Sequence, residues 1–90
     1  MPRQERTFLI INTLGLHARA AAQLVQAANR YRCEIHVEKD GIEVNGKSIM
    51  GVLTLAAAKG TQIVVSCEGD DEVPAMEALA KVIEAGFGEN

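Results

Sequence analysis

Hydrophobic and polar positions change their period several times along this 90-residue chain, and each change marks an element. Arg6–Asn12 is a short β-branched and aromatic run that closes on Asn12, Thr13 and Gly15, and it predicts a strand. From His17 to about Arg30 the chain is alanine-rich, with Ala21, Leu24, Val25 and Ala28 at helical spacing, which predicts a helix. Cys33, Ile35 and Val37 then alternate with Glu34, His36 and Glu38, the pattern of a strand with one wet face. Lys39-Asp40-Gly41 makes a tight turn into a second alternating stretch carrying Ile42 and Val44, and Asn45-Gly46 turns again. Ser48–Ala58 opens on an N-cap residue and reads as a short helix interrupted by Gly51 and ended by Lys59-Gly60. Thr61–Gly69 predicts the fourth strand. Asp70, Asp71 and Glu72 suit the positive end of a last helix with Pro74 in its first turn, and Val73, Met76, Ala80, Ile83 and Phe87 form its apolar stripe.

The order βαββαβα, with half-wet strands and helices that need a face to cover, predicts an α+β open-faced sandwich. One four-stranded antiparallel sheet is expected, covered on one face by three helices. Residues 1–90 form a single domain at this length, and the 48% hydrophobic content excludes wholesale disorder. With Phe8, Tyr31 and Phe87 the only aromatics, the core must be built from Ile, Leu, Val, Ala and Met. No apolar run approaches the roughly 20 residues of a membrane span, and the first residues do not read as a signal peptide, so a cytoplasmic protein with no membrane insertion is expected. Cys33 and Cys67 are too few for a disulfide framework and read as buried thiols.

The net charge of −3 is unevenly spread: residues 1–45 carry six basic and five acidic groups, and residues 46–90 three basic and seven acidic. A basic stripe interleaved with aromatics is missing, which argues against nucleic acid as the partner. Cys33 and His36 have C-x-x-H spacing, and His17 and Cys67 could complete four ligands. Residues 33 and 36 of one strand point to opposite faces, however, which disfavours zinc.

The candidate chemistry lies in "NTLGLHARAAAQLV", Asn12 to Val25, where His17 stands between a glycine-containing turn and a helix. A helix start offers unpaired N–H groups and the positive end of a dipole, both suited to phosphate. The dipole favours the neutral imidazole, whose ring nitrogen can attack a phosphoryl donor, and Arg19 can hydrogen-bond phosphate oxygens. The plain alternative is that His17 caps or packs while Arg19 is solvated.

"GLHARAAAQLVQAA" resembles the active-site segment of the histidine-containing phosphocarrier (HPr) family of the phosphoenolpyruvate:sugar phosphotransferase system. "NGKSIMGVLTLAAAKGTQIVVSCEG" resembles the same family's second signature, around a regulatory serine. The likeness runs from about Thr7 to Phe87. It implies a phosphoryl carrier that is a covalent substrate of other enzymes rather than a free-standing catalyst, with no cofactor or metal. Enzyme I, charged by phosphoenolpyruvate, would phosphorylate His17 on Nδ1, and the carrier would pass the group to enzyme IIA domains for sugar uptake. Arg19 would steady the phosphate. Ala20, Ile49, Met50 and Leu53 would belong to the docking surface, although plain core packing explains Leu53 equally well. Ser48 would be phosphorylated by a serine kinase/phosphorylase, although an N-cap role accounts for it unaided. A carrier that docks successive partners works most simply as a monomer. The family often has proline after the arginine where this chain has Ala20, whose N–H could donate to a phosphate. That departure leaves open whether this copy serves sugar uptake or a nitrogen-type relay.

Overall fold

The computed structural model describes residues 3–89. Along them follow β1 (Gln4–Leu9), α1 (Ala18–Ala28), β2 (Glu34–Lys39), β3 (Ile42–Asn45), α2 (Ile49–Thr54), β4 (Gln62–Glu68) and α3 (Glu72–Glu84), and a 3-10 turn covers Gly86–Gly88. The strands form one antiparallel sheet in the order β1-β4-β2-β3. The last strand in sequence thus fills the slot between the first two, with Thr7 opposite Val64 on one side and Glu38 opposite Val64 on the other.

Alternation decides what the sheet covers. Phe8, Ile10, Ile35, Val37, Ile63, Val65 and Cys67 are buried on its helical face, while Glu5, Thr7, Leu9, Glu34 and Glu68 of the other face are exposed. α1 presents Ala20, Ala21, Leu24, Val25 and Ala28 to that core, and α3 presents Ala75, Met76, Leu79, Ala80 and Ile83. Alanine favours the helix and lets α1 lie close to its neighbours, since three of those alanines are fully buried. Leu24 and Leu79, at 1% and 0% exposure, each contribute about 1.5–3 kcal/mol through burial. Cys33 and Cys67 are buried free thiols. Burial pushes the Cys67 thiol up to about 12, so it stays protonated at neutral pH.

Three boundaries differ from expectation. β1 starts and ends earlier than Arg6–Asn12, because pairing with β4 stops at Leu9 opposite Gln62. Ile10 still exchanges bonds with Thr61 O and Gly60 N, and the chain then turns inward at the buried Asn12. α2 ends at Thr54 rather than running to Ala58, since Ala56 takes a left-handed φ of 48° that no helix continues. In α3, Val73 is 50% exposed rather than part of the apolar stripe, and Phe87 lies beyond the helix. Phe87 reaches the core at 1% exposure from a left-handed backbone (φ 57°) flanked by Gly86 and Gly88, also left-handed.

Candidate functional site

The turn before α1 is built around Asn12. Its carbonyl accepts from Gly15 N at 3.1 Å, and its Nδ2 donates to Gly15 O at 2.8 Å. Gly15 has φ +65°, and Leu16 N donates to Ala57 O at 2.8 Å, so the turn is pinned to the segment that follows α2. His17 then takes the N-cap position of α1 with extended backbone. Its carbonyl accepts from Ala21 N at 2.8 Å, the first bond of the helix.

The imidazole does not cap. α1 has no side-chain cap hydrogen bond and no acidic residue in its first turn, so the positive end of the helix keeps its capacity for an added anion. The ring, 26% exposed, instead sets Nε2 against the Glu89 carboxylate, 72 residues away in sequence. Glu89 Oε1 also accepts from Asn12 Nδ2 at 3.0 Å. Asn12, 0% exposed, therefore uses both amide hydrogens, one on Gly15 O and one on Glu89, while its Oδ1 has no hydrogen-bond partner among the described residues. Two acceptors facing Nδ2 fix the orientation of that amide. The Asn12 hydrogen bond first, and that of His17 second, hold the Glu89 carboxyl below its ordinary range, so it is ionised at neutral pH.

Thr13, Leu14, Arg19 and Glu89 line an open cleft of about 240 Å³ beside the histidine. Arg19 is exposed there, and its charge adds to the forces that keep Glu89 ionised. The arrangement offers, in one place, an imidazole with one nitrogen engaged by a carboxylate, a guanidinium with free access to solvent, and an uncapped helix start. Such a group can take and release an anionic electrophile.

Other expected residues fall elsewhere. Ser48 caps α2, its Oγ accepting from Gly51 N at 3.1 Å. Lys47 Nζ donates to Tyr31 O at 2.6 Å, which places the start of α2 beside the far end of α1. Ser48 and His17 thus sit near opposite ends of an 11-residue helix about 16 Å long. Ile49 and Met50 are 42% and 73% exposed, as a docking surface needs, and Leu53 is half-buried against the core. Ala20 does not fit the docking role. Its side chain is fully buried, because it lies one turn before Leu24 on the stripe facing the sheet. Leu14, 67% exposed at the cleft, is an apolar contact the sequence pattern did not single out, and Glu89 and Asn12 are polar ones. For Glu89 the only local trace is the Gly-Phe-Gly run before it. Cys33, His36 and Cys67 do not gather around His17, and among the described residues no three His, Cys, Asp or Glu side chains are grouped to hold a metal. Nor is any helix long and apolar enough to cross a membrane, among the described residues.

A family model described as the PTS HPr component phosphorylation site matches residues 4–85. The phosphocarrier protein HPr of Neisseria meningitidis serogroup A is 52% identical over 80 residues, covering 89% of this chain and 90% of the relative. A crystal structure of HPr from Thermoanaerobacter tengcongensis superposes with a TM-score of 0.93 at 48% identity, covering 97% of this chain and 98% of the other. An HPr dimer from the same organism superposes with a TM-score of 0.78 at 49% identity, covering 96% and 99%. With the histidine-bearing helix start, the sheet order and both sequence signatures in agreement, the chain belongs to the HPr phosphocarrier family of the phosphotransferase system.

Proposed function

We propose that His17 is the phosphoryl acceptor of this carrier, charged by enzyme I and discharged to enzyme IIA domains in sugar uptake. The observation that carries this reading is the engagement of Nε2 by Glu89 at an uncapped helix start. With Nε2 donating its hydrogen to the carboxylate, Nδ1 holds the lone pair and is the nucleophile. It attacks the phosphorus of the donor's phosphohistidine. The new N–P bond forms as the donor's N–P bond breaks, and the donor imidazole leaves with the electron pair. The phosphate oxygens then lie within reach of the α1 N–H groups and the Arg19 guanidinium. The reverse sequence hands the group to the next protein.

Ile49 and Met50, with Leu14 at the cleft, supply the apolar part of the docking surface, and Leu53 supports it from below. A serine kinase/phosphorylase acting on Ser48 would place a phosphate beside Ile49 and Met50 rather than at His17. It would therefore weaken docking rather than the chemistry. The carrier acts as a cytoplasmic monomer; an HPr dimer exists in a relative, so sedimentation at micromolar concentration tests the point.

The reading is tested by intact mass after incubation with phosphoenolpyruvate and enzyme I. One acid-labile phosphate is expected on the native chain and none on His17→Ala. No gain on the native chain, with an enzyme I shown to be active on its own carrier, overturns it.

A further inference from the structure

Glu89 ends the described chain, yet it is not a loose tail residue. Its backbone N–H donates to Gly86 O at 2.9 Å, and the turn that carries it is anchored by the buried Phe87. Gly86 and Gly88 take left-handed backbone freely, whereas Phe87 between them (φ 57°) is held there by the burial of its ring. The hook folds back against Asn12: a Cβ at Gly86 would stand 3.7 Å from Asn12 Cβ. Asn12 in turn is buried and donates from Nδ2 to Glu89, while its Oδ1 has no partner among the described residues.

We infer that Glu89, held by Asn12, is a positioning residue for phosphoryl transfer: it selects the Nε2–H tautomer of His17 and balances the charge that the ring acquires. The inference rests on the proposal that His17 is the acceptor. When neutral Nδ1 attacks phosphorus while Nε2 keeps its hydrogen, the ring becomes an N-phosphoryl imidazolium bearing one positive charge. The donor's phosphoimidazolium loses the same charge as it leaves as neutral imidazole, so the step balances without another proton. A fixed carboxylate on Nε2–H lies where that positive charge develops. On discharge the ring must leave as a neutral imidazole, and the hydrogen held on Nε2 allows this.

The carboxylate is suited to this in a way that an amide is not. It accepts from Asn12 on one oxygen and from His17 on the other. A glutamine there has one oxygen, and with that oxygen on Asn12 Nδ2 its own NH2 faces His17 and favours the opposite tautomer.

The experiment is long-range 1H–15N NMR of 15N-labelled protein in mildly alkaline buffer, native against Glu89→Gln, with the sheet residue His36 as internal control. The native chain is expected to show His17 protonated on Nε2, and Glu89→Gln to shift it toward the Nδ1–H form while His36 and the thermal midpoint stay unchanged. Phosphorylation by enzyme I is expected to slow at least about tenfold in Glu89→Gln, the lower end of the loss seen when the partner orienting a metal-ligating histidine is removed. An unaltered tautomer, or an altered tautomer with an unaltered transfer rate, overturns the inference. The NMR arm needs no phosphoryl donor, so failure of the native chain to be phosphorylated would strike the acceptor role and leave the tautomer result standing.

Discussion

Gly15 lies so close to Ala57 that a Cβ on the glycine would stand 2.4 Å from the Ala57 carbonyl oxygen. This contact joins the turn before His17 to the segment after α2, and Leu16 N donates to the same oxygen. Gly15→Ala therefore meets both backbone overlap and a left-handed φ of +65°. We expect it to destabilise the fold by about 2–4 kcal/mol, the range of a strained, overpacked site. Folded protein recovered at low temperature should accept phosphate more slowly, because the turn that places His17 is displaced. Urea denaturation and timed mass spectrometry measure the two effects separately.

Arg19 is exposed, and its side chain has no hydrogen bond or ion pair among the described residues. Arg19→Ala should leave the urea midpoint unchanged. Transfer to and from both partners should slow by roughly tenfold to a hundredfold, below the range for an enclosed anion donor because the cleft is open to water. Stopped-flow transfer kinetics decide it, and native rates in both directions would remove Arg19 from the site.

Ser48 has a structural duty that can be separated from regulation. Its Oγ accepts from Gly51 N, so Ser48→Ala should cost about 1 kcal/mol. Ser48→Asp keeps a capping oxygen and adds negative charge beside Ile49 and Met50. Its thermal midpoint should stay near native while transfer from enzyme I slows. If Ser48→Asp loses stability as Ser48→Ala does, the cap geometry assigned to it is wrong.

Acid should also act at a contact far from His17. Asp71 accepts from Arg32 N at 2.8 Å and from Cys33 N at 2.9 Å. The bond from Arg32 leads the causes that hold its carboxyl below the ordinary value of 3.8. A depressed carboxyl stabilises the fold above its unfolded value, and that stability is lost as pH falls through the folded value. The urea midpoint should therefore change little from neutrality to about pH 5 and then decline below about pH 4. Asp71→Asn, which cannot accept on both side-chain atoms, should lower the neutral-pH midpoint and flatten the acid slope. A parallel acid slope in the variant would assign the loss to other carboxyls.

Most of the architecture was legible because its signals are local. Strict alternation at Cys33, Ile35 and Val37 reports a half-wet strand whatever the chain does elsewhere, and all three are buried. Ser48 was readable as a cap, since capping joins residues three apart. Burial of Ala20 was less legible, because an alanine carries little hydrophobic pattern of its own. Whether it faces a partner or the sheet depends on how α1 is rotated against the core.

By itself the sequence determined the element order, the wet and dry faces of the strands, and the meeting of a histidine and an arginine with a helix start. These follow from periods of 2 and 3.6 residues and from short-range backbone chemistry. Only the tertiary structure decided which nitrogen of His17 is engaged and by what. Glu89 reaches the ring across 72 residues and Asn12 across 77, through a left-handed hook whose anchor, Phe87, can be placed only once the core exists. A carboxylate near the end of a chain has no periodicity to betray its partner. The insertion of β4 between β1 and β2 and the packing of α3 against α1 bring that end over the helix start.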